Sequence, residues 1–136
     1  MANERSMSAF LEATVEEVPN KEVVISKRFK DKNGDPIPFE IKPIPTSKIR
    51  KLRKSAMRYI NGKVNVDVDV LNQLMVIESL VYPDLKNEDL QQKFGVMGEE
   101  DLLDAMLLPG EFDDLTTQVT ELCGYNGAEL VEEAKN

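Results

Sequence analysis

The 136-residue sequence contains no histidine, no tryptophan and a single cysteine. Without histidine the chain lacks the commonest general base and the commonest metal ligand of proteins, which excludes His-dependent catalytic triads and His-ligated zinc. One cysteine cannot form a disulfide within the chain, so we expect a reducing cytoplasm. Cys123 lies in a Glu-Leu-Cys-Gly segment at a predicted helix end, with no basic neighbour to lower its pKa. This context favours a buried structural thiol over a reactive one.

Long apolar runs are also missing. No run reaches the roughly 18 residues that a membrane-spanning helix needs, and the N-terminal region has no apolar segment typical of a signal peptide. We therefore expect no membrane contact. The sequence is 41% hydrophobic and 31% charged, which is typical of a folded globular protein. It also lacks a glycine-rich phosphate loop and a serine nucleophile elbow, so we predict a protein that is not an enzyme.

Three groups of acidic residues are the remaining candidates for acid–base chemistry or Mg²⁺ binding. They are Asp67 with Asp69, residues 99–101, and Asp113 with Asp114. Each group lies at or near a predicted helix start, where the helix dipole favours carboxylates. Because helix capping explains them, we predict no catalytic, cofactor-binding or metal-binding residue, and no cofactor.

The charges are divided between two parts of the chain. Residues 21–63 contain 13 basic and 4 acidic residues, a net charge of +9, whereas residues 64–136 contain 3 basic and 17 acidic residues, a net charge of −14. Such a division indicates two surfaces with different partners, or a basic face of one molecule that meets an acidic face of another. We therefore predict a head-to-tail self-association that high salt weakens.

The hydrophobic pattern predicts an α+β fold that is mostly α: an N-terminal β-hairpin followed by a bundle of five or six short helices. Residues 1–20 are predicted to be a mobile N-terminal arm, in which one helical turn can pack only when a partner surface is present. Residues 21–136 are predicted to form a single domain. Within it, residues 21–45 form the hairpin, because two β-branched runs flank an Asn-Gly turn signal, and residues 46–136 form the helical bundle.

Capping and turn residues set the expected boundaries. Thr46 or Ser47 is predicted to cap a first helix that ends at Gly62. A central helix is expected to begin near Asp67 or Asp69 and to stop before Pro83. Shorter helices are predicted over residues 88–94, 99–108, 111–123 and 127–135.

Prolines restrict the second predicted strand. Proline has no backbone N–H to donate to a β-ladder, so Pro36, Pro38 and Pro43 predict that at least one side of this strand is an edge.

The exposed face of the first predicted helix is strongly basic, with Lys48, Arg50, Lys51, Arg53, Lys54 and Arg58. These residues could neutralise nucleic-acid phosphates. However, no aromatic residue is interleaved among them, no helix-turn-helix spacing precedes them, and the chain as a whole is acidic. A solvated or protein-docking face is therefore favoured over a nucleic-acid interface. For that docking face we name Lys48, Lys51 and Arg58 as candidate partner-binding residues.

Two segments of the acidic half contain short motifs in a fixed order. The first segment, residues 81–96, contains Pro-Asp-Leu and later Leu-Gln-x-x-Phe-Gly. The second, residues 102–115, contains Met-Leu-x-x-Gly-Glu-Phe-x-x-Leu, and a Gly-Tyr pair lies beyond it at 124–125. Together with the predicted hairpin, at residues 26–42, these segments resemble the XkdN-like tail assembly chaperones of long-tailed phages and prophages of Gram-positive bacteria. The resemblance covers residues 10–126.

The resemblance implies a chaperone that binds the long, hydrophobic tape measure protein, keeps it soluble and helps tail tube subunits polymerise around it. It also implies action in the host bacterial cytoplasm and absence from the mature virion. Binding an amphipathic helix requires an apolar groove rimmed by charge. As candidates for the core or for that groove we name Leu102, Leu103, Met106, Leu107 and Phe112.

Two other functions remain open on the sequence alone. One is a structural tail or head–tail connector subunit that is retained in the virion. The other is a small nucleic-acid-binding regulator that acts through the basic helix. Protein composition of purified virions separates the first from a chaperone, and salt-sensitive retention on DNA would favour the second.

Overall fold

The computed structural model describes residues 5–125, in which six helices and five strands are found. In chain order these are α1 Met7–Glu12, β1 Lys21–Val23, β2 Phe39–Ile41, α2 Thr46–Ser55, β3 Met57–Ile60, β4 Lys63–Val66, α3 Val68–Ser79, β5 Leu80–Tyr82, α4 Glu88–Lys93, α5 Glu99–Met106 and α6 Pro109–Leu122. The predicted α+β class with mostly helical content is confirmed.

The N-terminal sheet has three strands in the order β1-β2-β5, and both pairs are antiparallel. The predicted hairpin is therefore confirmed only in part. Val23 pairs with Phe39, but between them the chain makes a longer excursion in which Lys30 and Pro36 form an isolated bridge around the turn at Gly34. The third strand comes from the half of the chain that was predicted to be purely helical.

The predicted edge position of the second strand is wrong, because β2 lies in the centre of this sheet. Its three residues lie between Pro38 and Pro43, so no proline interrupts the ladder. Lys42 continues the pairing beyond the strand, since its N–H donates to the carbonyl of Ser79 at 2.9 Å. Placing the prolines outside a very short strand thus allows both of its sides to pair.

The first predicted helix is too long. α2 ends at Ser55, and the residues up to Gly62 belong instead to a second β-hairpin, β3–β4. Asn61 and Gly62 both have positive φ, 53° and 75°, which two-residue hairpin turns of type I′ require and which Asn-Gly readily adopts. The predicted caps Thr46 and Ser47 are also wrong, because Pro45 occupies the N-cap position and no side chain caps the helix.

The central helix, α3, begins as predicted. The Asp67 side chain accepts a hydrogen bond from the Val70 N–H. The helix ends at Ser79, before the predicted stop, because the next three residues pair with β2 as strand β5. The Ser79 hydroxyl is buried and donates to the carbonyl of Lys42 at 2.6 Å, which fixes this helix end against the sheet.

The C-terminal helices agree with their capping signals. Asn87, the residue before the predicted helix 88–94, caps α4, with its side chain accepting from the Leu90 N–H. α6 begins at Pro109 rather than after Gly110, because proline suits the first turn of a helix. The helix predicted over 127–135 lies outside the described residues.

Residues 46–125 contain three strands, so the prediction of a purely helical second part is wrong.

The core lies between the three-stranded sheet and α3, which packs against α2, α5 and α6. The largest fully buried apolar side chains are Ile41, Met75, Val76, Leu102, Leu103, Leu115 and Val119. Each such side chain contributes about 1.5–3 kcal/mol by leaving water. This core joins the two predicted parts of the chain, since Ile41 comes from the N-terminal part and the other residues come from the helical part.

The N-terminal arm contains one short helix of six residues, somewhat longer than the single predicted turn. Ser6 caps α1, and every described residue from 5 to 20 is exposed. No residue of α1 is buried against the rest of the chain. Its mobility stays a prediction.

Candidate functional site

An apolar groove of about 540 Å³ lies where the N-terminal sheet meets α4. Phe39 and Met106, both almost fully buried, contribute to its floor. The other residues that line it are Phe29, Ile37, Tyr82, Pro83, Asp84, Asn87, Asp89, Leu90, Lys93 and Phe94. We refer to this surface as the groove. Three separate parts of the chain build it: residues 29–39, residues 82–94 and the end of α5.

Aromatic side chains dominate the groove walls. The rings of Phe29 and Phe94 face each other with centroids 6.2 Å apart and a tilt of 49°, a favourable arrangement for two aromatic rings. Tyr82, at the end of β5, is 52% exposed although it is a large aromatic residue. An exposed apolar surface of this kind, next to a concave opening, is typical of a binding site.

Polar residues line one margin of the groove, along the turn into α4. Asp84 accepts a hydrogen bond from the Lys86 N–H, and Asn87 caps the helix, so both side chains are held in place. Asp89 and Lys93 lie further along, on α4, one turn apart. The groove thus combines an apolar interior with a charged margin, which is the arrangement that accepts the apolar face of an amphipathic helix.

An ion pair holds one groove wall to α6. Arg28 donates through Nη2 to Glu111 Oε1 at 2.6 Å and through Nε to Glu111 Oε2 at 3.3 Å, and its Nη2 also donates to the Met106 carbonyl at 2.7 Å. The guanidinium carbon lies 5.5 Å from the centroid of the Phe29 ring. Arg28 therefore positions the segment that contributes Phe29 to the groove.

The pKa of Glu111 is lowered to about 2, first by the hydrogen bond from Arg28 and then by those from Ser26 and the Leu108 N–H. Because the folded-state pKa lies below the usual 4.5, this carboxylate stabilises the fold fully above pH 4.5, and the contribution is lost as the pH falls towards 2.

Replacing Glu111 by glutamine should therefore lower stability at pH 7 and flatten the loss of stability between pH 4.5 and 2. Denaturant unfolding at a series of pH values measures both effects. Asp104→Asn, at an exposed position of α5, is the matched control and should keep the wild-type slope. A Glu111→Gln variant with the wild-type pH slope would contradict this role of the ion pair.

The apolar residues named from the sequence are mostly core residues. Leu102, Leu103 and Leu107 are 0%, 1% and 8% exposed, and Phe112 is half-buried against the core. Only Met106 among them also lines the groove. The sequence allowed two roles for this set, in the core or in a binding groove, and the structure places three of the leucines in the core. Their contact with a partner stays a prediction, and their burial does not favour it.

The basic residues named from the sequence lie on other elements than the groove. Lys48 on α2 is 3.5 Å from Glu78, and Arg58 on β3 makes an ion pair of 2.8 Å with Asp67. Lys51 is exposed on α2. The structure therefore does not bring these three together with the groove-lining residues. Sequence reasoning missed Tyr82, Leu90 and Phe94, although the family-like segment 81–96 contains them.

Cys123 is half-buried at the end of α6, and its sulfur accepts a hydrogen bond from the Ile44 N–H at 3.4 Å. Burial raises the pKa of the thiol. A raised pKa leaves less of the reactive thiolate, so the structural role expected from the sequence agrees with this geometry.

A position at a helix start explains two of the three acidic groups. Asp67 caps α3, and residues 99–101 form the first turn of α5, but Asp113 and Asp114 lie beyond the first turn of α6. Across residues 5–125, no three His, Cys, Asp or Glu side chains are grouped closely enough to hold a metal ion. Over the same residues, no helix has the length and apolar character to cross a membrane.

Comparison with known proteins identifies relatives over almost the whole chain. Residues 7–135 match the family described as phage XkdN-like tail assembly chaperone protein. The XkdN protein of the phage-like element PBSX in Bacillus subtilis strain 168 is 32% identical over an alignment 142 residues long, gaps included, that covers 98% of this chain and 96% of that protein. YqbN, an uncharacterised protein of the same strain, is 30% identical over an alignment 138 residues long, gaps included, that covers 96% of this chain and 93% of YqbN.

A solved structure shows the same fold. The crystal structure of a YqbN protein superposes with a TM-score of 0.73 at 26% sequence identity, covering 90% of this chain and 98% of that chain. Sequence and fold thus agree over nearly the full length of both proteins. The chain belongs to the XkdN-like family of phage tail assembly chaperones.

Proposed function

We propose that this chain binds the tape measure protein of a long-tailed phage or prophage, keeps it soluble during tail assembly and catalyses no reaction. Membership of the tail assembly chaperone family supports the assembly role. The groove is the observation on which the choice of ligand depends, because it offers an open apolar surface with a charged margin. The family resemblance implies a tape measure protein that is long, hydrophobic and coiled-coil-prone.

The groove suits one face of such a helix. An amphipathic helix presents apolar side chains at intervals of three and four residues, and these fill a groove as anchors. Tyr82 and Phe94 provide large aromatic contact surfaces of the kind that dominates binding energy at interfaces. Asp84, Asp89 and Lys93 then face the polar flanks of the bound helix. A single groove buries little area, so each contact is weak and reversible.

Reversible contacts fit a protein that has to leave its ligand. As tail tube subunits polymerise around the tape measure protein, they replace the chaperone, and dissociation of weak contacts is fast. In this proposal the tail tube protein is the second partner, the complex forms in the host bacterial cytoplasm, and the mature virion lacks the chain. No membrane or nucleic acid takes part.

Co-expression with the cognate tape measure protein tests the proposal. The tape measure protein should be largely insoluble alone, and with this chain it should move to the soluble fraction and co-purify. The result that would overturn the proposal is a tape measure protein that is equally soluble without the chain and forms no complex with it.

Mass spectrometry of purified virions separates the chaperone from a structural tail or connector subunit. A chaperone is absent from the particle or present far below one copy per tail ring. Stoichiometric amounts in the virion would identify the chain as a structural subunit instead.

A further inference from the structure

The N-terminal arm presents an apolar face that no described part of its own chain covers. Met7, Phe10 and Leu11 lie at i, i+3 and i+4 of α1, so they share one side of the helix. Their exposed fractions are 72%, 81% and 81%. Such a face is apolar enough to bind a complementary apolar surface.

The β3–β4 hairpin presents a second uncovered apolar face. Tyr59 pairs directly with Val64 across the two strands, and Met57 lies two residues before Tyr59 on the same side. Their exposed fractions are 79%, 53% and 45%, in the order Tyr59, Val64, Met57. A hairpin of only two strands has marginal stability in water, and covering this face would stabilise it.

The charges that flank these two faces are opposite. Glu12, Glu16 and Glu17 accompany the apolar face of the arm, which has only Arg5 as a basic residue among residues 5–20. Residues 41–66, which contain α2 and the hairpin, hold eight basic residues and no acidic one. Two of the eight, Lys48 and Arg58, form ion pairs inside the chain, but Arg50, Lys51, Lys54 and Lys63 are exposed.

We propose that the N-terminal arm of one copy docks on the β3–β4 hairpin of a second copy. Met7, Phe10 and Leu11 cover the Tyr59–Val64 face, and the arm carboxylates face the exposed basic residues of α2. The fit of both apolar character and charge favours the arm as the occupant. This contact needs no groove residue, so it does not depend on the proposed function.

The symmetry of this contact has a consequence for assembly. The arm and the hairpin are different surfaces, so the copy at each end of an assembly still has a free arm or a free hairpin. A contact of this head-to-tail kind produces open chains rather than closed pairs. A chain of copies presents one groove per copy, which is suited to coating a long ligand repeatedly.

Two variants test the contact. Phe10→Asp with Leu11→Asp removes the arm face, and Tyr59→Asp removes the hairpin face; both sites are highly exposed, so the melting temperature should stay near the wild-type value. Analytical ultracentrifugation at low salt should show a wild-type mass that rises with concentration beyond that of a dimer. Each variant alone should remain monomeric.

An equimolar mixture of the two variants gives the decisive result. The arm variant keeps its hairpin and the hairpin variant keeps its arm, so the mixture should form a one-to-one dimer and nothing larger. The groove variant Tyr82→Glu should self-associate like the wild type, which separates this contact from tape measure binding. Raising the salt to about 0.5 M should weaken the wild-type association several-fold.

Three results would overturn the proposal. One is a wild-type chain that is monomeric at all concentrations, which would mean that the arm folds onto its own chain or stays uncovered. Another is a mixture of the two variants that stays monomeric. The third is a Tyr59→Asp variant whose oligomer mass equals that of the wild type but which no longer binds a single-stranded oligonucleotide. That combination would assign the basic face to nucleic acid.

Discussion

Leu102→Ala should lower the free energy of unfolding by about 2–5 kcal/mol, the range observed when a buried leucine is reduced to alanine. Leu102 is fully buried on α5, so the change both removes apolar contacts and leaves a cavity. Urea unfolding of the purified chain measures the effect. Leu108→Ala is the matched control because Leu108 is 54% exposed, and its stability should change by no more than about 0.5 kcal/mol.

This comparison separates a core role from a binding role for the leucines of α5. A domain of this size has about 5–15 kcal/mol of stability, so a loss of this magnitude raises the unfolded fraction without necessarily unfolding the chain. The folded fraction of Leu102→Ala should still bind the tape measure protein. A variant that is as stable as the wild type and yet loses that binding would place Leu102 on the partner surface.

Tyr82→Glu should reduce the affinity for the tape measure protein at least tenfold, which corresponds to about 1.4 kcal/mol or more. The substitution removes an aromatic anchor from the groove wall and places a carboxylate where apolar side chains of the ligand bind. Tyr82 is half-exposed in the free chain, so folding should be little affected.

Co-purification from cells that express both proteins measures this loss as tape measure protein recovered per copy of the chain. Met97→Glu is the control: Met97 is 87% exposed and does not line the groove, so its recovery should equal that of the wild type. Circular dichroism should show that both variants fold. Equal recovery with Tyr82→Glu and wild type would exclude the groove as the binding surface.

The features that the sequence predicts well depend on neighbouring residues. The Asn87 cap of α4 and the Asp67 cap of α3 each require a side chain to reach a backbone N–H three residues away. The end of α6 at Leu122, with Cys123 as its C-cap, also depends on a neighbouring residue, because Gly124 adopts the positive φ of 88° that favours a helix end. Such contacts involve only a few neighbouring residues, so they can be inferred without the rest of the fold, although the wrong caps Thr46 and Ser47 show that a local signal is not sufficient by itself.

The groove could not be inferred in this way. Phe29 and Phe94 are 65 positions apart, and they face each other only because β5 joins β2 in the N-terminal sheet. In sequence, Leu80–Tyr82 continue the apolar pattern of α3, and only the available edge of β2 turns them into a strand. The apolar spacing of α5 predicts a buried face, but it does not distinguish a face buried in the chain's own core from one that lines a binding groove.

The β3–β4 hairpin is a different kind of error, because its signal is local. Asn61-Gly62 is a strong turn signal, and Tyr59, Ile60 and Val64 around it favour strands. The spacing of Ile49, Leu52, Ala56 and Ile60 also fits one face of a helix, and glycine is common at a helix end. Up to Ala56 the residues fit a helix. Beyond Ala56 the Asn61-Gly62 turn signal favours a hairpin over a longer helix.

Hydrogen exchange of the chain, measured free and in complex with the tape measure protein, tests the central claim most directly. Binding in the groove should slow exchange of backbone amides in residues 29–39 and 82–94, with little change in α2. Protection confined to α2 and the β3–β4 hairpin, or no protection at all in the presence of the tape measure protein, would contradict the assignment of the groove as the chaperone's binding surface.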